Sequence, residues 1–288
     1  MPSKAVKSTR KIAVRIGQVV AGLAAVAFGT LAYGYVTLPD VRPLAETNPT
    51  TTAFIELRAD EARSKGKSPR QLQEWINYRR ISPHLKRAVL VAEDAAFWQH
   101  DGIDYDELQK SIELDWARGQ LVRGASTITQ QLAKNLFLSP SRNPARKLRE
   151  LVITRRLEAE LPKARILELY LNVIEWGDGI YGVEAASENY FRQSASALAP
   201  SSAALLAGAI INPRMLNPAH PTPRLLRRQQ MILKRMGAVI PPVEVAREKP
   251  ADIPAPTSVT PSEPSPDTVT EDAPPADPAI QELPTEPK

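Results

Sequence analysis

An all-α body behind a single membrane-spanning helix is predicted by three features of the 288-residue chain. No stretch sustains the period-two alternation of a half-buried strand. Apolar residues instead recur at three- and four-residue spacing behind Ser, Asp, Thr or Pro helix starts. Finally, Ile16 to Leu38 holds no charged residue over 23 positions, which at about 1.5 Å per residue crosses a hydrocarbon core of about 30 Å.

Taking the segments in order, five cations (Lys4, Lys7, Arg10, Lys11, Arg15) precede the apolar run, and Asp40 alone follows it closely. The positive-inside rule then puts residues 1–15 in the cytoplasm and everything after the 16–38 span outside. The run is longer than the roughly 7 to 15 residues of a signal-peptide core, and no small-x-small site precedes a mature start, so it reads as an anchor and not as a cleaved signal. Residues 41–80 give the least definite pattern. Ser82-Pro83 is an N-cap with proline at the first helical position, followed by Leu85, Val89 and Ala92 at helical spacing, and Glu93 closes that helix. Asp104 and Glu107 form a capping box ahead of Leu108, Ile112 and Trp116, with Gly119 as the stop. Ser126 opens the next helix. Asn143-Pro144 starts another, Pro162 separates it from one running from Lys163 to about Ile174, and Pro200 and Thr222-Pro223 open two more, the last ending near Gly237. From Pro241 onward the chain holds 13 of its 27 prolines among acidic and hydroxyl residues. Such a segment lacks the apolar surface to offset its ordering entropy, and residues 241–288 are expected to be a disordered tail.

Composition excludes several chemistries. There is no cysteine, and the three histidines, His84, His100 and His220, lie far apart. A thiolate metal site, a thiol nucleophile and a disulfide framework are therefore ruled out, and no local zinc motif is present. Charge is unevenly spread: residues 1–40 carry net +4, residues 241–288 net −7, and the body between them net +8. A basic body favours an anionic partner, whether nucleic acid, a membrane surface or a phosphorylated substrate.

Where chemistry would sit is marked by the segment Glu93-Asp94-Ala95-Ala96-Phe97-Trp98-Gln99-His100-Asp101-Gly102, which sets an acidic pair at the end of an apolar helix. In the helix opened by Ser126, Thr127, Gln130, Gln131 and Lys134 fall on one stripe, and Ile128, Leu132 and Leu136 lie roughly opposite. A merely solvated face is usually rich in Glu and Lys, so this amide and hydroxyl stripe reads as ligand-facing. Arg123 and Gly124 precede it, and the open N–H groups of a helix start attract phosphate. Arg146, Lys147 and Glu150 lie one turn apart; as spacing alone they are a salt-bridged surface worth a few tenths of a kcal/mol, or else a carboxylate held among cations beside a diphosphate. Glu168 and Asn172 sit in a mostly apolar helix with Tyr170 and are expected to satisfy buried polar groups.

The order and content of these segments resemble the glycosyltransferase module of bacterial peptidoglycan polymerases (glycosyltransferase family 51). The family's E-D-x-x-F-x-x-H-x-G motif is complete at Glu93, Asp94, Phe97, His100 and Gly102. Its second motif is Arg123-Gly124-Ala125-Ser126-Thr127-Ile128-Thr129-Gln130-Gln131-Leu132-Ala133-Lys134-Asn135. The third, R-K-x-x-E, is Arg146, Lys147 and Glu150, and the fourth runs from Lys163 through Ile166-Leu167-Glu168-Leu169-Tyr170-Leu171-Asn172. The resemblance covers roughly residues 48–237. Trp176-Gly177-Asp178-Gly179 is similar to the monofunctional members, and no Lys-Thr-Gly strand of a penicillin-binding transpeptidase occurs.

That resemblance implies a lysozyme-like α-helical glycosyltransferase domain over residues 39–240, with a smaller membrane-proximal lobe. It implies polymerisation of lipid II into β-1,4 glycan with inversion and release of undecaprenyl diphosphate, in a protein of the cell inner membrane whose domain is periplasmic. Glu93 matches the family's catalytic glutamate, the expected general base. Asp94 either supports its raised pKa or receives helix N–H groups. Lys134, Arg146, Lys147 and Arg123 are the cations expected at the leaving diphosphate, while Ser126, Thr127, Gln130, Gln131 and Asn135 would hydrogen-bond sugar and phosphate groups. Glu150 matches the second important glutamate, near the donor diphosphate, and Phe97 and His100 are expected to shape the loop. No cofactor is required; a divalent cation, Mg²⁺ or Mn²⁺, would be shared with substrate phosphates because no dedicated cage is present. Expected partners are lipid II, the growing lipid-linked glycan, the membrane, and cell-division or wall-synthesis proteins, with no nucleic acid. The competing readings are a lysozyme-like lytic enzyme and a catalytically dead membrane-anchored scaffold.

Overall fold

A computed structural model describes residues 4–118, 126–138 and 144–238. Arg123, the Gly119 stop, the Asn143 cap and the tail from Pro241 lie outside the described residues. The chain is mostly helical. Helix α1 (Lys4–Val36) is followed by a 3₁₀ turn at Arg42–Ala45, α2 (Ala53–Ser64), the two-residue strand β1 (Leu72–Gln73) and a 3₁₀ turn at Tyr78–Arg80. Then come α3 (Pro83–Glu93), α4 (Tyr105–Arg118), α5 (Ile128–Phe137), α6 (Pro144–Glu160) and α7 (Lys163–Val173). Strands β2 (Glu175–Gly177) and β3 (Ile180–Tyr181) lead to α8 (Val183–Phe191), a 3₁₀ turn at Ala195–Ala197, α9 (Pro200–Ala209) and α10 (Pro223–Ala238).

Gly17–Val36 within α1 is apolar, with mean hydropathy 1.8, and none of it is buried in the protein. Twenty residues at about 1.5 Å each span about 30 Å, so α1 is long and apolar enough to cross a membrane. Its C-terminal end is gripped by α6. Arg149 donates from Nη1 to Thr37 Oγ1 and from Nη2 to the Thr37 carbonyl, both at 2.9 Å, and the Arg156 guanidinium lies 4.9 Å from the Tyr35 ring centroid.

The body is built around α7. Ile166, Leu167, Leu169, Tyr170, Leu171, Asn172 and Val173 are all buried, the pattern of a helix apolar on nearly every side and therefore central. It packs against α5, α6 and α8, and α3 packs against α9 and α10. Gly208 lets α9 approach α10 closely, since a Cβ there would sit 3.1 Å from Leu225 Cδ1. Asn172 is fully buried; its Oδ1 accepts from Ile76 N at 2.8 Å, and its Nδ2 donates to Ile76 O at 2.9 Å and Glu168 O at 2.8 Å. Glu168 accepts from Trp75 Nε1 and pairs with Arg165.

The structure departs from the sequence expectations in three local respects. A small sheet of order β1-β3-β2 exists, with β1 parallel and β2 antiparallel to β3; strands of two or three residues are too short to display alternation. Ser82 holds the N-cap position of α3 as expected, but its hydroxyl makes no cap bond and donates instead to Leu198 O at 2.8 Å, tying the start of α3 to the segment before α9. The N-cap of α5 is Thr127, not Ser126. At α4, Asp104 Oδ1 does accept from Glu107 N at 2.8 Å.

Candidate active site

The acidic pair sits where α3 ends, and the loop that follows is locked from within. Phe97 is fully buried as the loop's anchor, with the Lys163 ammonium 4.4 Å from its ring centroid. His100 Nδ1 accepts from Gly102 N at 3.1 Å, so its proton lies on Nε2, which donates to Asp94 Oδ1 at 2.9 Å. Gly102 has φ +82, and a Cβ there would lie 2.7 Å from Thr154 Cγ2 and 2.9 Å from Glu158 Cγ. Only glycine meets both demands. The second Asp94 oxygen accepts from Ile128 N at 2.9 Å, where the positive end of the α5 dipole favours a carboxylate. Asp94 is thus a clasp between loop and helix, the N–H-receiving alternative of the sequence reading. Both of its oxygens are occupied and the residue is buried, though it still borders the cleft beside Glu93.

Helix α5 supplies the next groups. Thr127 and Gln130 form a reciprocal capping box: Thr127 Oγ1 accepts from Gln130 N at 3.2 Å, and Gln130 Oε1 accepts from Thr127 N at 3.1 Å. The Thr127 hydroxyl also donates to Gly102 O at 2.7 Å. These two side chains, expected from their stripe to face a ligand, are buried and hold the helix start, while Thr127 also borders the cleft beside Glu93. The first turn of a helix must satisfy its own open N–H groups, and these residues serve that need. Asn135 likewise turns to its own helix, donating to Gln131 O at 2.8 Å. Ser126, half-buried, does line the cleft.

Gln131 is the link to the carboxylate. Its Nε2 donates to Glu93 Oε2 at 3.0 Å, and its Oε1 accepts from the fully buried Tyr170 hydroxyl at 3.0 Å. The phenol fixes the amide orientation, which leaves an N–H for Glu93. Burial, with the charges of Glu93 and Asp94, raises the Tyr170 pKa well above its ordinary value and keeps it a donor.

The Glu93 side chain is 13% exposed, and burial raises its pKa; the Gln131 hydrogen bond and the charges of Arg228 and Lys134 oppose the rise, and Asp94 adds to it. Arg228 of α10, with Nη2 3.5 Å from Glu93 Oε1, was absent from the sequence candidates. A signal existed: Leu225, Ile232 and Met236 form the buried stripe of α10, and Arg228 takes the apolar position between them. Glu93 lines a cleft of about 640 Å³ with Gln99, Asp104, Lys110, Ser126 and Arg235 among its walls.

A cationic group lies beyond Lys134. The Lys134 pKa is lowered, first by burial; Glu150, Arg146, Lys147 and Glu93 are the charges acting on it, so this lysine feels both carboxylates. Glu150 is 4% exposed and pairs through Oε1 with Lys147 and through Oε2 with Arg146, the latter at 3.5 Å. Both oxygens are held by cations of its own helix. The Arg146 and Arg228 Nε atoms are buried without a hydrogen-bond partner among the described residues.

The carboxylates present do not suit a resident divalent cation. Asp94, His100 and Asp104 are close enough to share one, but Asp94 and His100 are already bonded to each other and to backbone amides. Glu150 is neutralised by two cations.

The transglycosylase family model matches residues 61–237, a span holding every group just described. The chain belongs to this family. Biosynthetic peptidoglycan transglycosylases from three bacteria are similar to it. That of Nitrosospira multiformis is 47% identical over 191 residues, covering 66% of this chain and 83% of the relative. That of Aromatoleum aromaticum is 50% identical over 189 residues, covering 66% and 82%. That of Chromobacterium violaceum is 42% identical over 217 residues, covering 75% and 95%. Membership in the family makes the chain a glycosyltransferase.

Proposed function

We propose that the chain is a peptidoglycan glycosyltransferase that polymerises lipid II, with Glu93 as general base. The carrying observation is the pairing of a buried carboxylate of raised pKa, oriented through Gln131 by Tyr170, with a cationic group centred on Lys134, Arg146 and Lys147. In the reaction the acceptor's 4-hydroxyl attacks the donor's anomeric carbon while the bond to the diphosphate oxygen breaks. The hydroxyl proton passes to Glu93, the centre inverts and undecaprenyl diphosphate departs. A positioned general base contributes about 10² to 10⁴ in rate. Oε2 accepts from Gln131 at 3.0 Å and Oε1 has only the longer 3.5 Å contact with Arg228 Nη2, so Oε1 is assigned as the oxygen that receives the proton.

Negative charge grows on the leaving diphosphate, and preorganised cations stabilise it. Lys134, Arg146 and Lys147 are assigned that role; Arg146 Nε, without a partner among the described residues, has an N–H to offer an anion. Glu150 holds the two cations of its helix in place and is assigned as their positioning residue. Arg228 is assigned to stabilise the charged form of Glu93 before proton transfer. The domain is assigned to the outer face of the cell inner membrane, with α1 as a single-pass anchor and the N-terminus cytoplasmic. The five cations before the span and the lipid tails of both substrates support this arrangement.

A lipid II polymerisation assay tests the reading. Wild-type protein should make glycan polymer, and Glu93→Gln should lose at least about 10²-fold in rate while keeping its helical circular dichroism. Polymer formed by Glu93→Gln at the wild-type rate would remove the base assignment. Release of soluble fragments from intact sacculi without polymerisation would identify a lytic enzyme instead.

A further inference from the structure

Away from the Glu93 cleft, a separate cavity of about 150 Å³ lies between α2, the segment leading to β1, and the β2–β3 turn. It shares no lining residue with that cleft. Its floor holds one unfilled buried polar atom. The Glu175 side chain is 4% exposed; Oε2 pairs with Arg58 at 3.2 Å, while Oε1 is buried without a hydrogen-bond partner among the described residues. Tyr181, 1% exposed, also lines the cavity. An unfilled buried polar atom costs about 1–3 kcal/mol, so the Glu175 oxygen calls for a partner.

The walls are charged in a defined way. Arg58 bridges Glu175 and Glu61, and Arg214 pairs with Asp178 at 2.9 Å. Gly179, at φ +69, brings the turn against Arg70, whose carbonyl would lie 2.6 Å from a Cβ there. At the rim, Lys65, Lys67 and Arg70 have no acidic partner among the described residues. The rim thus attracts an anion, whereas the floor carboxyl offers an acceptor to a donor N–H.

We infer that this cavity is a binding site for a short peptide end, with the peptide carboxylate at the Lys67–Arg70 rim and an amine or amide N–H at Glu175 and Tyr181. A peptide end carries one negative charge and N–H donors. The lining carries Arg58, Lys65, Lys67, Arg70 and Arg214 against Glu61, Glu175 and Asp178; a phosphate dianion satisfies the rim cations but brings no N–H to the Glu175 oxygen at the floor, which a peptide end does. A volume of 150 Å³ fits one or two small residues. The inference does not depend on the reaction assigned to Glu93, because the two sites share no residue.

The test is calorimetric titration of the full-length protein in detergent micelles with alanyl-alanine, its C-terminal amide and inorganic phosphate. The dipeptide should bind saturably, and the amide about tenfold more weakly. Tyr181→Phe, which keeps the buried ring, and Arg70→Ala, at an exposed position, should each weaken the dipeptide about tenfold. Absence of saturable dipeptide binding, equal binding by both variants and wild type, or phosphate binding as tight as the dipeptide would each overturn the inference.

Discussion

At the scale of single residues, the site rests on an unfavourable environment for one charge. Burial raises the Glu93 pKa above its ordinary value, so between the unfolded and folded values the native state binds more protons than the unfolded chain. Its contribution to stability is full below the unfolded value and is lost as pH rises through the folded one. Ionised Glu93 is therefore held at a cost at neutral pH, and Glu93→Gln should melt no lower than wild type there, even as it stops polymerisation. A fall of several degrees in Tm would show that the carboxylate supports the fold. Arg228 acts in the opposite direction, since its charge lowers the Glu93 pKa. Arg228→Met should move the acidic limb of the kcat/KM profile to higher pH, with activity lost at neutral pH partly recovered above it. A uniform loss at every pH would instead assign Arg228 to substrate binding.

At the scale of elements, the site depends on how α5 begins. Thr127 closes the capping box with Gln130 and also fixes Gly102, so the motif loop and the helix carrying Gln131 and Lys134 share one joint. Thr127→Ala should cost about 1–2 kcal/mol in denaturant unfolding and reduce turnover, and Thr127→Ser should restore both. Unchanged stability in the alanine variant would mean that Asp94 alone holds the joint. This joint also shows what the sequence could reveal. Helix starts at Pro83, Pro144, Lys163, Pro200 and Pro223 were legible because proline and helical periodicity are local signals. Which hydroxyl caps α5 was not, because Ser126 and Thr127 are both good caps and the choice is made by contacts to Gly102, 25 residues away. Tyr170 was legible as core but not as the partner of Gln131, a contact across 39 residues. The β1–β3 pairing was hidden for the same reason.

At the scale of the whole molecule, α6 joins the site to α1, the helix long and apolar enough to cross a membrane. One part of it presents Arg146, Lys147 and Glu150 to the cationic group, and the same helix holds the end of α1 through Arg149 to Thr37 and Arg156 over Tyr35. Sequence could indicate the span and the R-K-x-x-E group separately, but not that one helix serves both, since those contacts depend on the packed body. With α1 as the proposed anchor, this arrangement would set the height of the cationic group relative to the bilayer and to the diphosphates of the proposed lipid-linked substrates. The grips contribute little stability, because exposed charged contacts are worth about 0–1 kcal/mol each. Their value is positional, and a displacement of about 1 Å can cost up to about 10² in rate. Changing Arg149 and Arg156 together to Ala should therefore leave Tm within a few degrees of wild type while slowing polymerisation in lipid vesicles about tenfold. In detergent micelles, where substrate and enzyme adjust their depth freely, the same variant should work at nearly the wild-type rate. An equal loss in both settings would show that the two arginines act on the site directly, and no loss in vesicles would show that α1 tethers the body without setting its height.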